Sequence, residues 1–485
     1  MPTKRGLAKV SARTGTAVVG IAVAVATVSA VQFGEWPVVA TPPLATVVSP
    51  QPSEQQLVCP GPLFALGEDP SQASAATSVG TPDMSAGAKA DVSGSVWSDP
   101  ESADLAAVDN AQGTRDSSPV VLSVPVESGA DSPPLVAGSQ SQTAASETLG
   151  GFAAAACTET ASEAWLVGGS TDIGHTSLVL LANPTTVVAS VDLAILGETG
   201  RIDAPGSTGI LVQPGEQRII SLAGLAPNVR SPVVQVIATG GQIAASLEES
   251  SVRGIDPGGA ELLGPTAPPA VDLAIPGVLI ASAADPAAVT EEEEFSDETP
   301  TIRVLVPGTT PARVEVGVFS EDGQATGASQ QVRLEPGIAT EIPLTALTSG
   351  VYTVRLNSDQ PLVAAARTAV SGTASRDFGW FVASRPLASD FALSIAPGPS
   401  PTLHLYNPGS TDTTVSVNGD SGASTDVAIA ARQSAFVAVA SDAQYTVTNS
   451  SEIIASIGYS GDGVISSFAV NPPGPLATPI TVYSR

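Results

Sequence analysis

The chain is poor in the residues that most enzymes and metal proteins depend on. It has two cysteines and two histidines in 485 residues. That is too few for a multi-ligand Cys/His metal cluster, and it leaves little for histidine-based acid–base chemistry near neutral pH. Aromatic residues make up 4% of the chain, so its cores must be built from Val, Ala, Leu and Ile. Basic residues are scarce as well, with 19 Lys and Arg against 47 Asp and Glu and a net charge of −28. Such a surface repels phosphate backbones and argues against a nucleic-acid partner. No P-loop, dinucleotide-binding glycine fingerprint or nucleophile elbow appears. Gly461-Asp-Gly and Asn418-Gly-Asp-Ser-Gly read as turns, because neither has the acidic ladder and terminal Glu of a calcium loop.

What the chain has in excess is Gly and Pro, 46 and 41 residues respectively. Both break helices, so short strands joined by turns are expected. The length suggests two to four domains at about 150 residues each. The first distinct feature is Lys4, Arg5, Lys9 and Arg13 ahead of an uncharged Ala/Val-rich run from Thr14 to Gly34. About 20 helical residues cover the ~30 Å bilayer core. One reading is a signal peptide cleaved after a small-residue site such as Val28-Ser29-Ala30 or Val38-Val39-Ala40. The other is an uncleaved anchor with the basic residues inside and the bulk of the chain outside. The length of the run, and Trp36 just after it, favour the anchor. No second segment of comparable length follows, so a single pass is expected, with a secreted protein as the outcome if the segment is cleaved.

These features divide the chain into a basic cytoplasmic segment (1–14), a membrane segment (15–35), a Pro/Ser/Thr-rich stalk (36–58) and an irregular acidic region (59–157), which reads either as disorder or, from its short apolar runs Leu63 to Leu66 and Val120 to Val126, as an irregular β region with its ends tied together. Between residues 41 and 150 thirteen acidic residues face only Lys89 and Arg115. Cys59 and Cys157 bracket this region. In an exported chain two cysteines default to one disulfide, the alternative being two separate buried thiols.

Beyond Trp165 an internal repeat emerges. Its first copy carries Leu178-Val-Leu-Leu-Ala-Asn-Pro, its second Ile302-Arg-Val-Leu-Val-Pro-Gly and its third Leu403-His-Leu-Tyr-Asn-Pro-Gly. The interval from Pro184 to Pro214 differs by one residue from that between Pro307 and Pro336. Stretches such as Val314-Glu-Val-Gly-Val alternate apolar and polar residues, which is the period of a strand with one buried face. Proline ends each opening strand because it has no N–H to give to a ladder. The fold class expected is therefore all-β, with tandem antiparallel β-sandwich (Ig-like) modules at 158–255, 301–370 and 401–485 behind an N-terminal transmembrane helix. Residues 256–300 and 371–400 read as linkers, the first holding the acidic run that starts at Glu291.

Few residues suggest chemistry. Asp172, His175 and Ser177 lie close in sequence and invite a hydrolase reading, although their spacing matches no triad motif and an exposed loop is the simpler expectation. His404 sits between Leu403 and Leu405 in an alternating strand and is expected on the wet face. No catalytic residue, metal ligand or cofactor site is assigned; the only paired residues expected are Cys59 and Cys157.

Cys59-Pro-Gly-Pro, Cys157, Trp165-Leu-Val-Gly-Gly-Ser-Thr, Leu180-Leu-Ala-Asn-Pro, Pro214-Gly-Glu, Ser221-Leu-Ala-Gly-Leu-Ala-Pro and Arg253-Gly-Ile-Asp-Pro-Gly-Gly occur in that order. This set resembles an actinobacterial family of secreted or membrane-anchored proteins, domain of unknown function 5719. The resemblance implies an N-terminal membrane segment and an extracytoplasmic β-rich body. It implies no established activity and no catalytic residues.

The function expected is that of a non-enzymatic extracytoplasmic envelope protein. Its β-sandwich modules would bind or space envelope components, with the membrane and an envelope protein or polysaccharide as partners. A cryptic hydrolase or enzyme accessory using the loop around His175 is one alternative. A polysaccharide-binding array is another, although four Trp and five Tyr are few for three modules that would need aromatic platforms.

Overall fold

The computed structural model describes residues 54–67, 76–90, 96–111, 118–126, 133–281, 298–323, 327–345, 347–373, 375–387, 390–449 and 451–470. For Ala45–Val48 and Ile480–Tyr483 it describes the backbone alone. The chain divides into two units. In the smaller one, Ala45–Val48 pairs antiparallel with Ile480–Tyr483, Ala45 lying opposite Tyr483. The larger unit, Gln51–Ala477, holds everything described below. The membrane segment expected at 15–35 lies outside the described residues, as does the acidic run from Glu291. Among the described residues no helix is long and apolar enough to cross a membrane.

The larger unit is all-β, and its one described helix is the single turn Leu222–Leu225. In the first sandwich, Glu163–Val167, Val233–Gly240 and Ala189–Gly197 form one sheet, with Gly200–Arg201 and Ile210–Val212 also paired to the last of these. Opposite lie Asp256–Leu263, Ala244–Arg253, His175–Asn183 and Glu216–Ser221, with the short parallel strand Ala106–Ala107 on the edge. Val179, Leu181, Val191, Leu193 and Val236 fill the space between the sheets. The run Leu178-Val-Leu-Leu-Ala is unbroken because both of its faces are covered. Val179 and Leu181 point into this core, whereas Leu178 and Leu180 join a second cluster with Phe64, Leu149 and Ala155.

The second sandwich is organised by one 22-residue strand, Gly350–Ser371. Its first part pairs with Ala270–Ile280 and Ala312–Ser320, and its second part with Thr301–Leu305 and Arg376–Val382. The strand thus belongs to both layers, and Ile302, Val304, Val316, Val354 and Ala366 pack between them. In the third sandwich, Phe391–Ile395, Ala443–Thr448, Thr413–Gly419 and Ser424–Ile429 face Ser434–Ala438, Thr402–Tyr406, Ile454–Gly461 and Val464–Ala469. Leu403, Leu405, Val415, Val447 and Ile457 form its core.

Three sequence expectations need correction. Residues 256–300 and 371–400 are not simple linkers. They contribute Asp256–Leu263 and Ala270–Ile280, and Arg376–Val382 and Phe391–Ile395, each a full member of a sheet. Residues 59–157 are not irregular where described. They include Gly150–Ala156, Leu135–Ala145 and Asp83–Lys89 in one sheet, and Val120–Val124 paired with both Gln55–Cys59 and Glu101–Asp104 in another. The strands Leu63–Ala65 and Val120–Val124 fall on the apolar runs that admitted a β reading, whereas the Ala/Gly/Ser composition of the others weakens their signal, since small residues carry little intrinsic β preference. Neighbouring parts of the fold supply the burial: Ser139 Oγ donates to the carbonyl of Ser394, and the N–H of Ala154 to Ser466 Oγ.

Cys59 and Cys157 form a disulfide spanning 98 residues. Gly138 lies against it, and a Cβ there would come within 2.9 Å of Cys157 Sγ and 2.5 Å of Leu122. The sandwiches also share side chains. Phe378 and Trp380, from a strand of the second, lie in the core of the first, and Ile465 of the third lies in the core of the second.

Candidate functional site

Asp172, His175 and Ser177 do not assemble as a triad. The Asp172 carboxylate accepts the N–H of Ile173 at 2.9 Å and lies 3.9 Å from Arg230. The Ser177 hydroxyl donates to the carbonyl of Ser170 at 2.7 Å and accepts its N–H at 2.8 Å. His175 is not on an exposed loop. It opens the strand His175–Asn183, and its Nδ1 lies 3.1 Å from Glu249 Oε1. Glu249 is fully buried, and its Oε2 accepts the indole N–H of Trp380 at 2.7 Å. The carboxylate that orients His175 is thus 74 residues away in sequence. Its signal was the pair Glu248-Glu249 within the strand Ala244–Arg253, right after Ala244-Ala-Ser-Leu, an unusual place for two adjacent carboxylates.

His404 is not on a wet face either. It is 5% exposed, and its Nδ1 lies 2.6 Å from the buried Glu321 Oε2. Glu321 Oε1 also accepts the N–H of Gly277 and the hydroxyl of Thr353, each at 2.8 Å. Gly277 sits at φ +81°, and a Cβ there would come within 2.7 Å of the His404 ring. The second sandwich therefore covers the face that alternation alone assigns to solvent.

Further buried carboxyls join the parts of the fold. Asp377, from the second sandwich, accepts four backbone N–H groups. They come from Phe152 at 2.9 Å, its neighbour Phe378 at 3.0 Å, Ala260 of the first sandwich at 3.2 Å and Ile465 of the third at 3.4 Å. Burial pushes its carboxyl up to about 8, while those donors pull the other way. Glu261 is pushed well above the usual carboxylate range by burial, against hydrogen bonds from Ser466 and from the N–H groups of Leu262 and Trp380; the charge of Asp377 raises it further. Burial also lifts Glu248 to about 8, against the N–H of Phe64. Arg303, 1% exposed, bonds Glu341 at 2.7 Å and the carbonyls of Gly169 and Pro232 at 2.7 and 3.0 Å. Burial alone would raise Glu341, but the charge and hydrogen bonds of Arg303 hold it below the usual carboxylate range. Among the described residues, no group of three or more His, Cys, Asp and Glu is placed to hold a metal ion.

An open groove of about 380 Å³ runs along the outer edge of the strand Glu163–Val167. Residues 158–165 form one wall and Pro265–Pro269 the other, with Ala383 and Arg385 also lining it. Glu163 accepts the indole N–H of Trp165 at 3.0 Å and the Gln235 amide at 2.9 Å. Partial burial lowers the pKa of Arg385, and Glu159 acts in the opposite direction.

These features lie within or beside a known sequence family. The family model described as "Family of unknown function (DUF5719)" matches residues 110–440, and the chain belongs to that family. No curated protein matches. Six chains among solved structures match. One of them, titled "Crystal Structure of Thermotoga maritima 1070", is 12% identical with a TM-score of 0.20, over 24% of this chain and 93% of that one.

Proposed function

We propose that this protein is a non-enzymatic scaffold and binding protein of the cell envelope. In this reading the N-terminal segment holds it at the membrane, and its tandem Ig-like β-sandwich modules lie outside. One observation carries the proposal: the side chains best suited to chemistry are committed to joining parts of the fold. His404 closes on Glu321, His175 on Glu249, and Asp377 collects N–H groups from three other regions. An enzyme concentrates such groups at the wall of a cleft; here they sit in seams. The groove beside Glu163 supplies a surface for an envelope protein or polysaccharide.

The hydrolase alternative rests on the His175–Glu249 contact, since a buried carboxylate against an imidazole can orient it for proton transfer. A deletion strain separates the two readings. It should show an envelope defect, and chains carrying His175→Ala, alone or with Asp172→Ala, should restore it fully. Loss of rescue by a variant that is still folded and exported would favour the enzyme. Intact-mass measurement of the native protein tests the anchor, and a mature start near Val31 or Thr41 would make the protein secreted.

A further inference from the structure

Among the described residues, the only aromatic side chains that stand exposed are Phe319 and Phe436, at 40% and 47%. Scattered exposed apolar residues are ordinary. These two come from different sandwiches and gather at one place, the rim of the seam that His404 and Glu321 close. Phe319 lies opposite Thr353 in its sheet, and Phe436 lies opposite His404 in the next. The Thr353 hydroxyl is 2.7 Å from that of Ser434, so the two sheets touch there. Phe436 stands two residues, about 7 Å, beyond Ser434 on the same face. Its strand, Ser434–Ala438, is the edge of its sheet, so Phe436 stays at the rim while His404 is buried.

Both rings are backed by protein. A Cβ on Gly317 would come within 2.6 Å of the Phe319 ring, so the glycine lets that ring lie down along its own strand. Arg355 lies opposite Gly317, and its guanidinium packs against two rings. Its Cζ is 4.7 Å from the centroid of Phe319 and 5.5 Å from that of the buried Tyr406. Phe436 is backed by His404, the ring centroids 6.2 Å apart. Rings held in this way lose little freedom when a ligand settles on them.

The polar groups beside the rings narrow the choice of ligand. Among the described residues the Arg355 guanidinium makes no hydrogen bond or ion pair, so its planar fork of N–H donors is left for a ligand. The charges around it are of both signs. Arg432 and Asp272 act with Arg355 on the Tyr406 hydroxyl. Asp272 and Glu315 lie on either side of Asn357, the next residue on the face of Arg355. Asp322 follows Phe319 and takes the Ser320 hydroxyl. Such a mixture favours neither a polyanion nor a polycation. It suits a saccharide, whose C–H faces stack on aromatic rings and whose hydroxyls both give and take hydrogen bonds.

We propose that this rim binds an uncharged polysaccharide, its sugar rings stacked on Phe319 and Phe436 and its hydroxyls accepting hydrogen bonds from Arg355. The inference rests on the binding reading above and names the class of ligand.

The test is affinity electrophoresis of the full disulfide-bonded chain. The native gels contain polysaccharide released from the envelope of the deletion strain and split by anion exchange into neutral and acidic fractions. The neutral fraction should retard the protein. Phe319→Ala and Phe436→Ala should each weaken retention about tenfold, the loss of one stacked ring. Phe319→Trp should keep it, which a merely structural role for that ring would not require. Arg355→Lys keeps the charge but loses the planar fork, and should weaken retention as well. Leu211→Ala, at a residue 53% exposed on the first sandwich, should change nothing. A neutral fraction that leaves the unmodified protein unretarded would overturn the proposal, a readout that needs no variant to fold. Retention by the acidic fraction alone, or retention indifferent to both alanine variants, would also overturn it, while leaving the binding reading intact. That reading fails separately, through loss of rescue by the His175 variants.

Discussion

His404 Nδ1 and Glu321 Oε2 meet at 2.6 Å across the seam between the third and second sandwiches, both side chains buried. Removing either partner strands a polar group away from water. His404→Ala and Glu321→Ala should each destabilise the chain by about 3–5 kcal/mol, and the double variant by less than the sum. Urea denaturation of the four proteins in a double-mutant cycle measures the coupling. An additive result would mean that the two groups do not depend on each other.

The Asn-Pro turns that end the strands His175–Asn183 of the first sandwich and Thr402–Tyr406 of the third are built alike. Asn183 Nδ2 donates to the carbonyls of Val187 and Val212, and its Oδ1 accepts the N–H of Thr185. Asn407 Nδ2 donates to Thr411 and Ile429, and its Oδ1 accepts the N–H of Gly409. Each asparagine replaces with its amide the ladder bonds that the following proline cannot make. Asn183→Ala and Asn407→Ala should each cost about 2–3 kcal/mol by leaving buried carbonyls bare. They lie in different sandwiches, so the two effects should add within about 0.5 kcal/mol in equilibrium unfolding.

Stability should fall as pH rises from the acid range to about 8. Glu248 is raised from 4.5 to about 8 and Asp377 from 3.8 to about 8, and Glu261 is raised as well. Each folded-state value lies above its unfolded value, so within that window the folded chain holds protons that the unfolded chain has released. The contribution is complete below the unfolded pKa and is lost as pH rises through the folded one. Glu341, with its pKa lowered, works in the opposite sense and loses its contribution only on acidification. Urea midpoints at pH 5 and pH 8 give the sign, and Glu248→Gln should flatten the slope. A midpoint that rises between these pH values would contradict the assignment.

Reduction of the Cys59–Cys157 bond releases a loop spanning 98 residues. In the chain-entropy account this should cost about 4–5 kcal/mol. Urea unfolding with and without reductant, repeated on the Cys59→Ser/Cys157→Ser chain, gives the value. A change below about 1 kcal/mol would mean that the strands between the two cysteines hold that loop closed without it.

Much of this architecture was legible in the amino-acid order. Alternation in Val314-Glu-Val-Gly-Val, the recurrent proline-ended strand and the Gly/Pro content point to antiparallel sheets, because strand period and turn chemistry are local properties. The unbroken apolar run at Leu178 departs from that alternation, and the structure shows both of its faces covered. What only the tertiary structure decided is which polar residues lie in the seams. Period two marks the face that meets a strand's own core, but it is silent about whether another module covers the opposite face. His404, Glu249 and Asp377 all sit where such a second cover exists, so their local sequence reads as solvent-facing or as linker. Their burial and their partners come from strands 74 to more than 200 residues away, a pairing that no local pattern encodes.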